Sequence, residues 1–221
     1  MPPELRELTP ADRLLSVIDQ GLKAISGQPA GVARAGRPLP GPPEGSEGPA
    51  PGSAAAREAA SLMRVNHAGE VAAQALYHGQ ALVARDPAVR TFMLDAAREE
   101  GDHLSWCAAR LAALGSRPSV LDPLWYAGSL AIGALAGLAG DKVSLGFITE
   151  TERQVEGHID DQLARLPPED RASRAVLEQM RVDEIAHGKH ARARGASELP
   201  GPVRHLMRAT ARVMTASAYW F

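Results

Sequence analysis

The chain reads as an all-α protein built on four long helices, and three observations lead there. Its composition is rich in alanine, leucine and arginine and holds only 4% aromatic residues, whereas strands draw on aromatic and β-branched side chains. Apolar residues recur at spacings of three and four over long windows, and no alternating stretch competes with them. Start and stop signals bracket those windows: Asp86 before Pro87, Gly115, "PPED" at 167–170 and Gly195. At 221 residues, one domain with a sizeable core and additional segments is expected.

Taken in order, residues 11–26 form a short amphipathic helix with Leu14, Leu15, Ile18, Leu22 and Ile25 on one side. The Pro/Gly-rich tether "GQPAGVARAGRPLPGPPEGSEGPAPGS" follows, too poor in apolar residues to order itself. The expected division is a short helix with a flexible linker over 1–53 and a helical domain over 54–221. Long helices are predicted over roughly 55–84, 87–114, 141–165 and 169–194, with a basic amphipathic helix after Pro202. Between the second and third lies the longest uncharged run, "LWYAGSLAIGALAGLAG" at 124–140. Seventeen residues rich in glycine are at the short edge of a membrane span, so the run reads as a buried or interfacial crossover.

Several function classes drop out early. A net charge of −2 gives no electrostatic case for nucleic acid. Cys107 stands alone, so no disulfide framework exists and a reducing compartment is the simpler expectation. The N-terminal "MPPELRELTPADRLL", with Glu4, Glu7 and Asp12, lacks the order of a secretory signal and is too acidic for a transit peptide.

The informative residues interrupt the apolar stripes. The second long helix reads Met93, Ala96, Glu100, Leu104, Cys107, Leu111, Leu114, with His103 beside Glu100. The third reads Leu145, Ile148, Glu152, Val155, Ile159, Leu163, Leu166. The fourth reads Leu177, Met180, Glu184, His187, Ala191, and the first Met63, Asn66, Glu70, Ala73, Tyr77, Ala81. Each core-facing stripe thus carries a glutamate near its middle. Four unpaired buried carboxylates would cost several kcal/mol apiece, and no lysine or arginine on the stripes compensates them.

Two divalent cations would balance them, with two neutral histidines completing the shell. Residues at i and i+3 share a helix face, so Glu100/His103 and Glu184/His187 can each converge on one metal. Glu70 precedes Glu100 by 30 residues and Glu152 precedes Glu184 by 32, so the arrangement occurs twice. A lone Glu followed by Glu-x-x-His, repeated, is the ligand grammar of ferritin-like four-helix bundles. Oxygen and nitrogen ligands without thiolate suit iron or manganese over zinc, and iron is the expectation. Periodicity alone does not separate Glu152 from Glu156.

"LMRVNHAGEVAAQALYHGQA" at 62–81, "EEGDHL" at 99–104, "RPSVLDPLW" with its Gly-rich sequel and "DEIAH" at 183–187 together resemble the Coq7 family of ubiquinone biosynthesis, the demethoxyubiquinone hydroxylases. The resemblance covers roughly residues 55–221. It implies a ferritin-like di-iron monooxygenase that hydroxylates the ring of a polyprenylated demethoxy-quinol. The reaction would use O2 and reducing equivalents ultimately from NADH. Carried over motif by motif, two Fe2+ ions would be held by Glu70, Glu100, His103, Glu152, Glu184 and His187. Glu100 and Glu184 would bridge, Glu70 and Glu152 would bind one ion each, and Glu152 is chosen over Glu156. A membrane-embedded quinol implies peripheral attachment to the cytoplasmic face of a bacterial inner membrane, with a partner protein of the quinone pathway as a further expectation.

Neighbouring residues leave alternatives. His67, three before Glu70, reads as structural or supporting rather than a ligand. Asp183 and Glu99 either orient the histidine opposite through its outer nitrogen or are simply solvated. Tyr77 lines the core near the site. His78 and His190 read as ordinary helix residues, and family similarity puts His158 near the substrate or electron-donor side. In the last helix Val203, Leu206, Met207, Thr210, Val213 and Met214 oppose Arg204, Arg208 and Arg212, and "AYWF" ends the chain. That pattern suits a membrane interface, with a bundle or dimer contact as the alternative. The rival functions are a rubrerythrin-type or ferritin-like di-iron oxidase or peroxidase and a non-enzymatic, metal-binding, membrane-associated scaffold. The chain has no Cys-x-x-Cys module of the rubrerythrin kind.

Overall fold

A computed structural model describes residues 9–25 and 48–221. Among them are seven helices and no strand: α1 (Pro10–Ile25), α2 (Ala54–Val83), α3 (Pro87–Ala113), α4 (Asp122–Leu138), α5 (Asp141–Arg165), α6 (Arg171–Ala193) and α7 (Gly201–Trp220). Most of the predicted tether, residues 27–47, lies outside the described residues. The bundle helices begin where capping chemistry says they should. The side chains of Ser53, Asp86 and Asp170 accept from the amides of Ala56, Ala88 and Ser173, and Pro87 opens α3.

Helices α2, α3, α5 and α6 form the four-helix bundle, with α2 packed along α3 and α5 along α6. Two apolar layers fill its interior. One joins Leu62, Met63, Trp106, Cys107, Leu111, Ile159, Leu177 and Met180. The other joins Tyr77, Phe92, Met93, Leu145, Ile148 and Ala191. On every bundle helix the predicted acid falls between them: Glu70 between Met63 and Tyr77, Glu100 between Met93 and Cys107, Glu152 between Ile148 and Ile159, Glu184 between Met180 and Ala191. The stripes therefore stack a polar layer between two dry ones.

The Gly-rich run forms α4, which lies along α2 with its backbone almost touching. A Cβ on Gly133 would sit 2.3 Å from the Leu76 carbonyl oxygen, and one on Gly79 would sit 2.2 Å from that of Leu130. Backbone cannot yield as a side-chain tip does. Gly133→Ala is accordingly expected to destabilise the protein by about 3 kcal/mol or more, read as a fall in Tm. At Gly128 an added Cβ meets nothing within 4 Å, so Gly128→Ala should be neutral or stabilising by up to about 1 kcal/mol.

On α1 the buried side is rotated from the predicted stripe: Ile25 packs on the core as expected, and the Leu14 side chain lies outside the described residues. Val17 and Ala24 are buried while Leu15, Ile18 and Leu22 face outward. Small residues let the helix approach Tyr126, whose hydroxyl donates to the Val17 carbonyl at 3.1 Å and contacts His78 Nδ1 at 3.0 Å. Helix α7 packs on α2 through Ala218 and Tyr219, and Arg64 donates to the Tyr219 carbonyl at 2.9 Å. Among the described residues, no helix is long and apolar enough to cross a membrane.

Candidate metal centre

All six predicted ligand residues meet in the polar layer, each at most 4% exposed. They form two overlapping groups whose ligand atoms lie within 4.8 Å of one another. Glu70, Glu100, His103 and Glu184 make one; Glu100, Glu152, Glu184 and His187 make the other. Glu100 and Glu184 belong to both. His103 Nδ1 is 2.9 Å from Glu100, 3.2 Å from Glu184 and 3.4 Å from Glu70. His187 Nδ1 is 3.3 Å from Glu100 and 3.5 Å from Glu184. Either group could hold a metal ion. Glu156, left open by periodicity, stands at the surface beside Arg181.

The outer nitrogens of the two imidazoles settle the alternatives for Asp183 and Glu99. His103 Nε2 lies 3.2 Å from Asp183, and His187 Nε2 lies 2.9 Å from Glu99. Each acid directly precedes a cluster glutamate and reaches the histidine of the helix across from it. With Nε2–H donating outward, Nδ1 is left bare toward the cluster, which is the tautomer a metal needs. Tyr77 donates to Glu152 Oε1 at 2.5 Å and stands edge-on to His187. Trp106 packs against the His103 ring, 5.3 Å between centroids.

Electrostatics in the layer are strongly coupled. Burial, and then repulsion from Glu100 and Glu184, hold the Glu70 carboxyl well above its usual range. Burial and Glu184 do the same to Glu152. Burial would raise Glu100 too, but His103 and His187 outweigh it and hold Glu100 well below the usual range. Burial would lower both histidines. Glu100, Asp183 and Glu184 instead push His103 well up, and Glu100 and Glu184 push His187 up to about 11. Without metal, these surroundings favour the charged form of both imidazoles and the protonated form of Glu70 and Glu152.

Protons alone leave the geometry unsatisfied. Glu70 Oε2, Glu100 Oε1, Glu152 Oε2, Glu184 Oε1 and His187 Nδ1 are buried without a hydrogen-bond partner. Unpartnered polar atoms converging from four helices are costly unless a cation sits among them. The residues present fit a metal, and hard oxygen with imidazole nitrogen is compatible with iron.

Residues 57–218 match the family described as "Ubiquinone biosynthesis protein COQ7". The chain belongs to the COQ7 family. Among the family's curated members, the 3-demethoxyubiquinol 3-hydroxylase of Ralstonia pickettii (strain 12J) is 55% identical over 217 residues, covering 94% of this chain and 98% of that protein. Those of Burkholderia ambifaria (strain MC40-6) and Paraburkholderia xenovorans (strain LB400) are 56% and 55% identical, each covering 95% of this chain and 98% of the relative.

Other histidines fall outside the cluster. His67 Nδ1 faces Asp122 at 3.1 Å, a buried pair joining α2 to the start of α4. His158 bonds to Gln162, and Gln162 to Asn66, linking α5 to α2. Burial lowers His78 to about 4, so it stays neutral beside Tyr126. His190 is exposed. Sequence reasoning missed Asp122 and Tyr126. Both lie in the Gly-rich crossover region, where no stripe periodicity marks which side faces inward.

Proposed function

We propose that this chain is an O2-dependent di-iron monooxygenase that hydroxylates the ring of a polyprenylated 3-demethoxyubiquinol in ubiquinone biosynthesis. The observation that carries it is a buried layer of four glutamates and two histidines in a chain 55% identical, along nearly its full length, to a protein named for that reaction. Glu70, Glu100 and His103 would serve one iron and Glu152, Glu184 and His187 the other, with Glu100 and Glu184 shared. When bound, two ferrous ions supply the two electrons that O2 needs on its way to inserting one atom into the ring. NADH is the ultimate reductant in this proposal.

The residues around the irons then have definite tasks. Glu99 and Asp183 fix the imidazoles, and Tyr77 fixes Glu152. The two apolar layers exclude water. A narrow crevice lined by Leu76, Phe147, Ile148 and Thr151 leads between α2 and α5 to Tyr77 and Glu152. Its volume of about 10 Å³ admits a quinol ring only when its side chains move aside.

Metal loading should be proton-coupled. The raised pKa values of His103, His187, Glu70 and Glu152 mean that protons compete for the ligand atoms. Affinity should therefore weaken as pH falls, and filling both sites should release protons. Indicator-dye titration against added Fe(II) under anaerobic conditions measures this.

Membrane attachment belongs to the same proposal. Leu15, Ile18 and Leu22 on α1, Leu124, Leu135 and Leu138 on α4, and Leu206, Val213 and Trp220 on α7 are exposed. All three helices pack on α2. Exposed apolar faces with Arg204, Arg208 and Arg212 nearby suit peripheral binding to an anionic bilayer such as the inner membrane. The protein should co-sediment with anionic liposomes. The double variant Leu206→Asp, Val213→Asp should bind roughly a hundredfold more weakly, since two buried side chains contribute about 3 kcal/mol.

Turnover is the test of function. Iron-loaded protein given a short-chain demethoxyquinone, NADH and O2 should form a product richer by one oxygen atom. Oxygen consumption with unchanged quinone would favour the oxidase or peroxidase alternative.

A further inference from the structure

Every cluster ligand is at most 4% exposed, so a metal ion needs a way in. Glu152 and His187 each line an opening. Glu152 lines the α2/α5 crevice, whose 10 Å³ is about one water. His187 lines a cleft of about 420 Å³ between α3 and α6. Six waters of hydration at about 30 Å³ each need about 180 Å³, so a hydrated dication fits the cleft and not the crevice.

The cleft lies between α3 and α6. Near Leu111 they are tied together by Arg110, which donates to Ser173 and Asp170, and by the contact of Cys107 with Met180. Past the Glu99–His187 hydrogen bond the cleft runs between them toward Ala88 and Arg194. Ligand-type side chains line the gap in helical steps and in order of depth. Asp95 and His190 are exposed at the outside, Glu99 is half-buried one turn further in, and His187 is buried at the floor. Asp95 holds an exposed ion pair with Arg98, which costs little to exchange. Among the described residues lining the cleft, Arg194 is the one permanent cation, and it is stacked over Phe92.

We propose that the α3/α6 cleft is the path by which divalent metal ions reach the buried centre, drawn in by Asp95 and passed inward by Glu99 at the His187 ring. This rests on the metal-centre reading above. His187 separates the two spaces: Nε2 faces Glu99 on the cleft side and Nδ1 faces Glu100 and Glu184. Rotation of that ring about Cβ–Cγ opens the passage. Polar ions thus enter on one side of the bundle, while the apolar crevice on the other is left to the quinol.

The test is stopped-flow uptake of Co(II), followed by its visible absorption, into the metal-stripped full-length protein. Asp95→Asn should slow uptake roughly three- to tenfold, and Arg194→Ala should accelerate it by a similar factor. Both variants should still fill to the unaltered protein's final stoichiometry. Added salt should slow the unaltered protein and flatten the difference between variants. Uptake to full stoichiometry at rates indifferent to both substitutions would overturn the path and leave the metal centre standing. Failure of the unaltered protein to take up Co(II) would overturn both.

Discussion

Replacing Glu184 with alanine is expected to abolish hydroxylation and to leave the chain unable to hold a metal pair. Glu184 belongs to both ligand groups, 3.2 Å from His103 Nδ1 and 3.5 Å from His187 Nδ1. Its loss removes a ligand atom from each. It also leaves three carboxylates against two dications, a net charge of +1 in a layer sealed from water, which costs several kcal/mol. Metal content should fall below that of the unaltered protein, and turnover should drop by at least about 10³-fold. Glu184→Gln keeps the shape and should fail almost as badly, separating charge from packing. Glu156→Ala, one turn past Glu152 but at the surface beside Arg181, should retain activity. Metal analysis and initial rates on the same preparations check all three.

The second large effect lies one bond further out. Asp183→Asn and Glu99→Gln touch no predicted ligand position, yet each weakens the partner of an imidazole Nε2–H. Loss of such a partner typically costs 10- to 100-fold in metal affinity or activity. Asp183 should be the more sensitive, because its side chain is 9% exposed against 36% for Glu99, and water screens the exposed charge. The two histidine rings lie 6.4 Å apart and share Glu100 and Glu184, so the double variant should depart from the product of the single effects. Competition of each variant with a metal chelator measures the affinities. Equal affinity in all forms would mean that the imidazoles are held by packing alone.

Much of this was legible in the sequence because a carboxylate on an apolar stripe is expensive. Glu70, Glu100, Glu152 and Glu184 each sit on such a stripe at matching depth, and the bundle brings them together as that cost requires. Residues at the edge of a stripe were not decidable. Whether Asp183 meets a histidine or water depends on the helix opposite, which periodicity does not specify, and the same holds for Glu152 against Glu156. On α1, the large apolar residues Leu15, Ile18 and Leu22 suggested a buried face. The small Val17, Gly21 and Ala24 face the bundle instead, since close approach to Tyr126 decides the packing. In the Gly-rich run, backbone contact through Gly79 and Gly133 leaves no hydrophobic pattern to read. The α3/α6 cleft depends on how two helices pack, which no residue pattern announces.

Hydroxylation at the Glu/His layer is tested most directly by turning over iron-loaded protein with a short-chain demethoxyquinone and NADH under 18O2, with mass spectrometry of the quinone. One 18O atom in the product ring, absent with Glu184→Ala, is the predicted result. Product whose new oxygen comes from water, or label incorporated equally by Glu184→Ala, would contradict it.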